Sequence, residues 1–175
     1  LVISDLNSSY GSTSYGADVS AVINEIGTIK PDIILCAGDM VAGQKASLTE
    51  ANINSMWASF YSTVLSPIAE KAIPFGFTVG NHDASPSYQL DRRLAKEFWQ
   101  ANSRATNLTF VDSTHFPFYF SYIKNNVLFL SWDAAGGWRP GRPGECACGS
   151  TADRPGTRRR NGQPGHHRTG SAQWL

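Results

Sequence analysis

No run of about 18 consecutive apolar residues occurs in the sequence, so no membrane-spanning helix is expected. Cysteine is scarce, at Cys36, Cys146 and Cys148. An odd count without a framework of spacings says little about compartment, and localisation stays open. Cys36 falls inside an apolar stretch and reads as a small core residue. Cys146-Ala147-Cys148 is too closely spaced and too isolated to read as a zinc site. Neither sign of charge dominates: 15 Lys and Arg stand against 14 Asp and Glu, a net of +1, so composition gives no sign of a nucleic-acid partner. No Gly-x-Gly-x-x-Gly turn follows the first apolar stretch, which argues against a nucleotide-binding Rossmann domain. No internal repeat is visible.

The largest absence is local. From Ala134 to Trp174 there is no Val, Ile, Leu, Met, Phe or Tyr. Residues 138–175 carry seven Arg, including Arg158-Arg159-Arg160, against only Glu145 and Asp153. Residues 1–137 carry 8 Lys and Arg against 12 Asp and Glu, so the two segments differ in sign of charge and are judged apart. The second segment cannot bury enough apolar surface to offset its ordering entropy. Two readings fit residues 136–175: a disordered basic Gly/Pro/Arg-rich tail, or a stretch foreign to the domain, such as a frameshifted reading of a GC-rich gene. The chain begins at Leu1, already inside an apolar stretch and without methionine, and reads as a fragment or a processed chain.

What remains, residues 1–135, is long enough for one domain, and a hydrophobic content of 41% over the chain supplies a core. Leu1 to Ser4 reads as the end of a buried strand, and Ser8 to Tyr15 as a loop over the sheet edge. Val19, Val22, Ile23, Ile26 and Ile29 recur at helical spacing, stopped by Lys30-Pro31-Asp32. Ile33 to Ala37 is a second continuous apolar strand. This strand-helix-strand order predicts a parallel βαβ unit and an α/β fold. Thr49 opens a helix lined by Ile53, Met56, Trp57, Phe60, Tyr61 and Val64, which Pro67 ends or kinks. Ile73 to Val79 is a third strand, and Tyr88 to Ala101 a helix. Tyr119 to Ile123 and Val127 to Trp132 flank Lys124-Asn125-Asn126 as a hairpin. The aromatic cluster Phe116 to Tyr122 reads as core, and His115 as a surface or loop histidine.

Three motifs carry chemistry, each after an apolar run: Asp5-Leu6-Asn7, Gly38-Asp39-Met40 and Gly80-Asn81-His82-Asp83. Singly, each has a bland reading. Asp5 and Asp39 can be turn or cap carboxylates, Asn7 begins a formal Asn-Ser-Ser glycosylation acceptor, and Asn81-His82-Asp83 can be a loop hydrogen-bond cluster. Together they bring oxygen ligands and one histidine to three strand ends, which is the layout of a two-metal phosphoesterase site. Hydrolysis of a phosphate ester needs charge neutralised on the phosphoryl oxygens and a nucleophile stronger than bulk water, and two divalent metals about 4 Å apart provide both. In this reading Asp39 bridges the metals, Asp5 holds the first and Asn81 the second. His82 acts as general acid toward the leaving group, and Asp83 orients the imidazole.

At these spacings the three motifs resemble the calcineurin-like metallophosphoesterases. The resemblance covers about residues 1–135 and makes this region the N-terminal part of such a domain. Asp39-Met40-Val41-Ala42-Gly43-Gln44, Phe77-Thr78-Val79 and Ser131-Trp132-Asp133-Ala134 are similar to a purple-acid-phosphatase-like branch. The resemblance implies an α/β sandwich, incomplete here, with two divalent metal ions (Mn, Fe or Zn) at the strand C-termini. It also implies hydrolysis of phosphate mono- or diesters, with Asp5, Asn7, Asp39 and Asn81 as ligands.

Two departures qualify it. The family's first motif is usually Asp-x-His, and an Asn at position 7 is a neutral, weaker ligand that favours oxygen-loving metals over zinc. The later histidines that complete both metal shells, including a Gly-His-x-His pair, have no counterpart of that form. Gly165-His166-His167-Arg168 has no apolar strand before it. The rival reading is therefore a non-catalytic remnant that binds at most one metal weakly. Substrate and oligomeric state are not legible.

Overall fold

The computed structural model of the chain describes residues 1–7 and 9–136. Expectations made for Cys146-Ala147-Cys148, Arg158-Arg159-Arg160, Gly165-His166-His167-Arg168 and the rest of the segment after residue 136 lie outside the described residues.

Three continuous apolar runs form the strands of a parallel sheet, buried at the second and third strands and exposed at Val2 on the first. Its strands are β1 (Val2–Ile3), β2 (Ile34–Cys36) and β3 (Phe75–Phe77), in that spatial order, with Val2 opposite Leu35 and Leu35 opposite Gly76. The expected run Ile73 to Val79 is thus regular strand only at its centre.

Helix α1 (Ala17–Ile29) crosses from β1 to β2 and ends at Lys30, whose left-handed backbone lets its N–H bond back to Ile26. Of the expected apolar stripe only Ile23 and Ile26 are buried, while Val22 and Ile29 stay exposed. Helix α2 (Glu50–Phe60) begins in a capping box: the Asn52 N–H bonds Thr49 Oγ1 and the Thr49 N–H bonds Asn52 Oδ1. It buries Ile53, Met56, Trp57 and Phe60, the face its spacing predicts.

Pro67 does not end this helical run. A π-turn over Tyr61–Leu65 precedes it, with the Ser66 N–H bonded to the Tyr61 carbonyl, and helix resumes as α3 (Ser66–Ala69). Proline lacks the N–H for a regular bond and its ring crowds the carbonyl one turn back, so a wider turn accommodates it.

A short helix α4 (Asn81–Ala84) follows β3, and α5 (Gln89–Asn102) buries Asp91, Leu94, Ala95 and Trp99. A second, antiparallel sheet has the order β4 (Thr109–His115), β5 (Tyr119–Lys124), β6 (Val127–Trp132). Asn125 and Asn126 both have positive φ, which joins β5 to β6 as the predicted hairpin. Strand β4 is not foreshadowed by the pattern, and His115 lies at its exposed end.

The core is aromatic where α2, α5 and the two sheets meet. Trp99 stacks on Phe77 at 3.8 Å between ring centroids, and Phe77 touches Phe116 and Phe120 of the second sheet region. Thr78 Oγ1 donates to the Trp132 carbonyl and Ser131 Oγ to that of Phe77, both at 2.7 Å, tying the end of β3 to the end of β6. The architecture is the expected α/β class, a parallel sheet with helical crossovers beside an antiparallel one. Among the described residues no helix is long and apolar enough to cross a membrane.

Candidate functional site

The C-terminal ends of β1, β2 and β3 lie side by side, so the segments that leave them meet. Asp5 and Asp39 both leave their strands with φ of 53°, a left-handed bend unusual for residues with a side chain and concentrated at functional sites. The first two segments are stitched together by backbone bonds: Asp5 N–H to the Gly38 carbonyl at 3.1 Å and Leu6 N–H to the Asp39 carbonyl at 2.9 Å.

The third segment comes closer than any side chain would permit. A Cβ on Gly38 would lie 2.7 Å from the Gly80 nitrogen, and one on Gly80 would lie 2.1 Å from Asp39 Oδ1. Glycine at both positions lets the β2 and β3 loops touch. The His82 N–H then donates to Asp39 Oδ1 at 2.9 Å.

All six residues singled out in the sequence bear on this junction through their own bonds, and their geometry is informative about donors. The Asn7 side-chain nitrogen donates to the Asp39 carbonyl at 3.0 Å. The Asn81 side-chain nitrogen donates to Gln44 Oε1 at 3.1 Å. Each amide thereby commits its N–H side to the protein, which leaves its oxygen as the atom to meet a cation. Asp39 has one oxygen on the His82 amide, and Asp5 receives the Ser4 hydroxyl at 2.6 Å. The donor set is two carboxylates and two amide oxygens, all hard ligands that suit Mg, Mn or Fe better than a soft-ligand metal. The set fits a divalent cation in kind. Among the described residues no group of three or more His, Cys, Asp or Glu is placed to hold one.

Asp83, expected to orient the His82 imidazole, does something else. Its Oδ1 accepts the Met40 and Val41 N–H groups at 2.7 and 3.0 Å, and its Oδ2 the Gly80 N–H at 2.8 Å. Both oxygens are thus used on backbone, and buried His82 Nδ1 has no hydrogen-bond partner among the described residues. Burial pushes the Asp83 carboxyl up to about 6, against the three N–H bonds that favour its charge, and nearby Asp39 pushes the same way. Asp83 is a brace between the β2 and β3 loops.

A second buried carboxylate repeats the device. Asp91 accepts the Gln44 N–H at 2.6 Å, and the Gly43 N–H bonds the His82 carbonyl at 3.1 Å. Arg92 joins the Ala84 carbonyl to Asp133, at 2.9 and 2.7 Å, and lies over the Phe118 ring. Tyr15 donates to the Met40 carbonyl at 2.8 Å, and burial raises its phenol well above the usual range. The Tyr10 ring lies 5.2 Å from the His82 ring, centroid to centroid.

Sequence reasoning assigned no role to Gln44, Asp91, Arg92, Tyr10 or Tyr15. Gln44 and Asp133 do fall within motifs quoted above, which was the available signal. His115, on β4, takes no part in any bond of this junction.

The family model for calcineurin-like phosphoesterases matches residues 1–150. No curated protein and no solved structure matches the chain. With a family match over most of its length, the chain belongs to the calcineurin-like phosphoesterases, a family of metal-dependent phosphoric ester hydrolases.

Proposed function

We propose that this chain hydrolyses phosphate mono- or diesters through two divalent ions, held by Asp5, Asn7, Asp39 and Asn81. The observation that carries the proposal is the glycine-mediated contact of the β2 and β3 loops, which sets Asp39 against Gly80 and the His82 amide, on either side of Asn81 in the chain. When bound, the ions supply neutralisation of the phosphoryl oxygens and an activated nucleophile. The chain's own part is positioning. Asp39, with its second oxygen uncommitted to the His82 amide, suits the shared-ligand role. Asn7 and Asn81 present amide oxygens. His82, fixed by its backbone at Asp39 and lying under Tyr10, protonates the leaving oxygen. Asp83 holds the two loops in register. The motifs quoted in the sequence support placement near the purple-acid-phosphatase-like branch.

Replacing Asp39 with Ala removes a direct ligand. Since even residues behind the ligands are worth about 10- to 100-fold, hydrolysis of an aryl phosphate with added manganese should fall at least about 100-fold. Wild-type rates in that variant would sink the assignment of Asp39.

One observation favours a second reading. Among the described residues the cluster includes no third His, Cys, Asp or Glu ligand. A chain that binds a single ion weakly and does not turn over substrate accounts for that donor set.

A further inference from the structure

Tyr10 is more than half exposed, at 54%, yet its place is fixed. The next residue, Gly11, has φ of 81° and donates its N–H to the Ala42 carbonyl at 2.8 Å; a Cβ there would meet Leu48 at 2.8 Å. The Ser12 N–H closes a turn onto the Ser9 carbonyl at 2.8 Å, and Tyr15 donates to the Met40 carbonyl. The loop is therefore pinned at two points to the segment Met40–Ala42, which Asp83 also holds. From this base the Tyr10 ring reaches the His82 ring, 5.2 Å away and inclined by 32°.

An exposed aromatic ring held in place beside an imidazole has two uses: it shields that imidazole, and it offers a flat apolar surface next to the atom the imidazole serves. We infer that Tyr10 is a specificity residue, forming a stacking surface for the departing group of the ester, so that the preferred substrates are phosphate esters whose leaving group carries a planar aromatic ring. This rests on the reading of His82 as the group facing the leaving oxygen. A ring bonded to that oxygen lies within reach of whatever borders His82, and aromatic pairs gain beyond simple burial when offset or tilted. The Tyr10 hydroxyl is not needed for stacking, so Phe replaces Tyr and Ala does not. A loop tyrosine serving only to shield His82 would affect all phosphoryl ligands alike.

The test uses the full chain with manganese and two non-hydrolysable probes, phenylphosphonate and methylphosphonate, titrated by calorimetry. The wild type is expected to bind the phenyl compound about tenfold more tightly, a gain typical of one aromatic pair. Tyr10→Ala should lose that preference while binding methylphosphonate as before, and Tyr10→Phe should keep it. Circular dichroism establishes that both variants fold. An equal preference in Tyr10→Ala, no preference in the wild type, or no binding of either phosphonate overturns the inference. Hydrolysis is read separately on phenyl phosphate. Phenyl preference lost in Tyr10→Ala but no turnover by the wild type leaves the Tyr10 surface standing and removes the catalytic reading.

Discussion

At the scale of the residue, Asp83 shows how a side chain expected to work on a neighbour works on the backbone instead. Its carboxyl is buried and accepts three N–H groups from two loops. Burial holds its folded-state value near 6, against 3.8 for the free side chain. The fold therefore favours the protonated form. The stabilisation this gives is complete below about pH 4 and is lost as pH rises through about 6. In the metal-free chain this group should lower unfolding free energy across that window by roughly 2–3 kcal/mol, at about 1.4 kcal/mol per unit. Asp83→Asn, which puts an amide N–H among N–H donors, should be destabilised by about 1–3 kcal/mol at pH 5 but show a flatter profile between pH 4 and 6. Urea unfolding of both proteins across that range checks it; parallel slopes would refute the role given to Asp83. Asp91, also pushed up by burial, is common to both proteins and drops out of the difference.

That these residues meet at one sheet edge was legible, because each motif of carboxylate, amide or histidine follows an apolar run; their role as a site stays a proposal. Their bonds were not legible. Nothing in Asn81-His82-Asp83 says whether the carboxylate faces the imidazole or the turn beneath it, since that depends on where Met40 and Val41 arrive from another strand. Tyr10 escaped for the same reason, being a loop residue whose neighbour is 72 positions away.

At the scale of the element, the site depends on two loops in near contact. Gly80→Ala places a methyl carbon onto Asp39, at 2.1 Å from Oδ1 and 2.4 Å from its backbone nitrogen. Gly80 itself has an ordinary φ of −91°, so the cost is crowding and not backbone strain. Separating the loops should destabilise the chain by about 1–3 kcal/mol and weaken manganese binding as well. Denaturant midpoints and metal titration on the variant measure both; unchanged values would mean that the loop contact does not build the site.

Helix α2 buries Ile53, Met56, Trp57 and Phe60 of its expected stripe, because an apolar stripe records burial, whereas α1 buries only Ile23 and Ile26 of its five, and Tyr61, past the end of α2, is exposed. Thr49 opens its helix as expected, while the reciprocal bond from Asn52 comes only with the structure. Strand β4 left no such record: it is an edge strand, its residues from Val111 to His115 are exposed, and its pairing with β5 shifts register twice. An exposed, irregular edge needs no alternation of apolar and polar residues. The π-turn before Pro67 was equally hidden, since sequence marks a proline's disturbance but not the route by which a helix absorbs it.

At the largest scale, the described residues combine a densely packed interior with an exposed sheet face. Around α2, α5 and β3 the interior is dense with aromatic rings, and Trp57, Phe60, Phe75 and Trp99 are fully buried. The outer face of the antiparallel sheet is not covered by any described residue to the same degree: Leu128, Leu130 and Trp132 on β6 are 55%, 74% and 72% exposed. The parallel sheet, by contrast, brings Asp5, Asn7, Asp39, Asn81 and His82 to one edge, as ligand sites of open α/β sheets generally require. In the proposed function this edge holds two metal ions. Elemental analysis of the purified 175-residue chain, dialysed against manganese beside the Asp39→Ala variant, tests it most directly. Close to two manganese ions per wild-type chain, with loss in the variant, is the predicted result; one ion or none in the wild type would contradict the two-metal account.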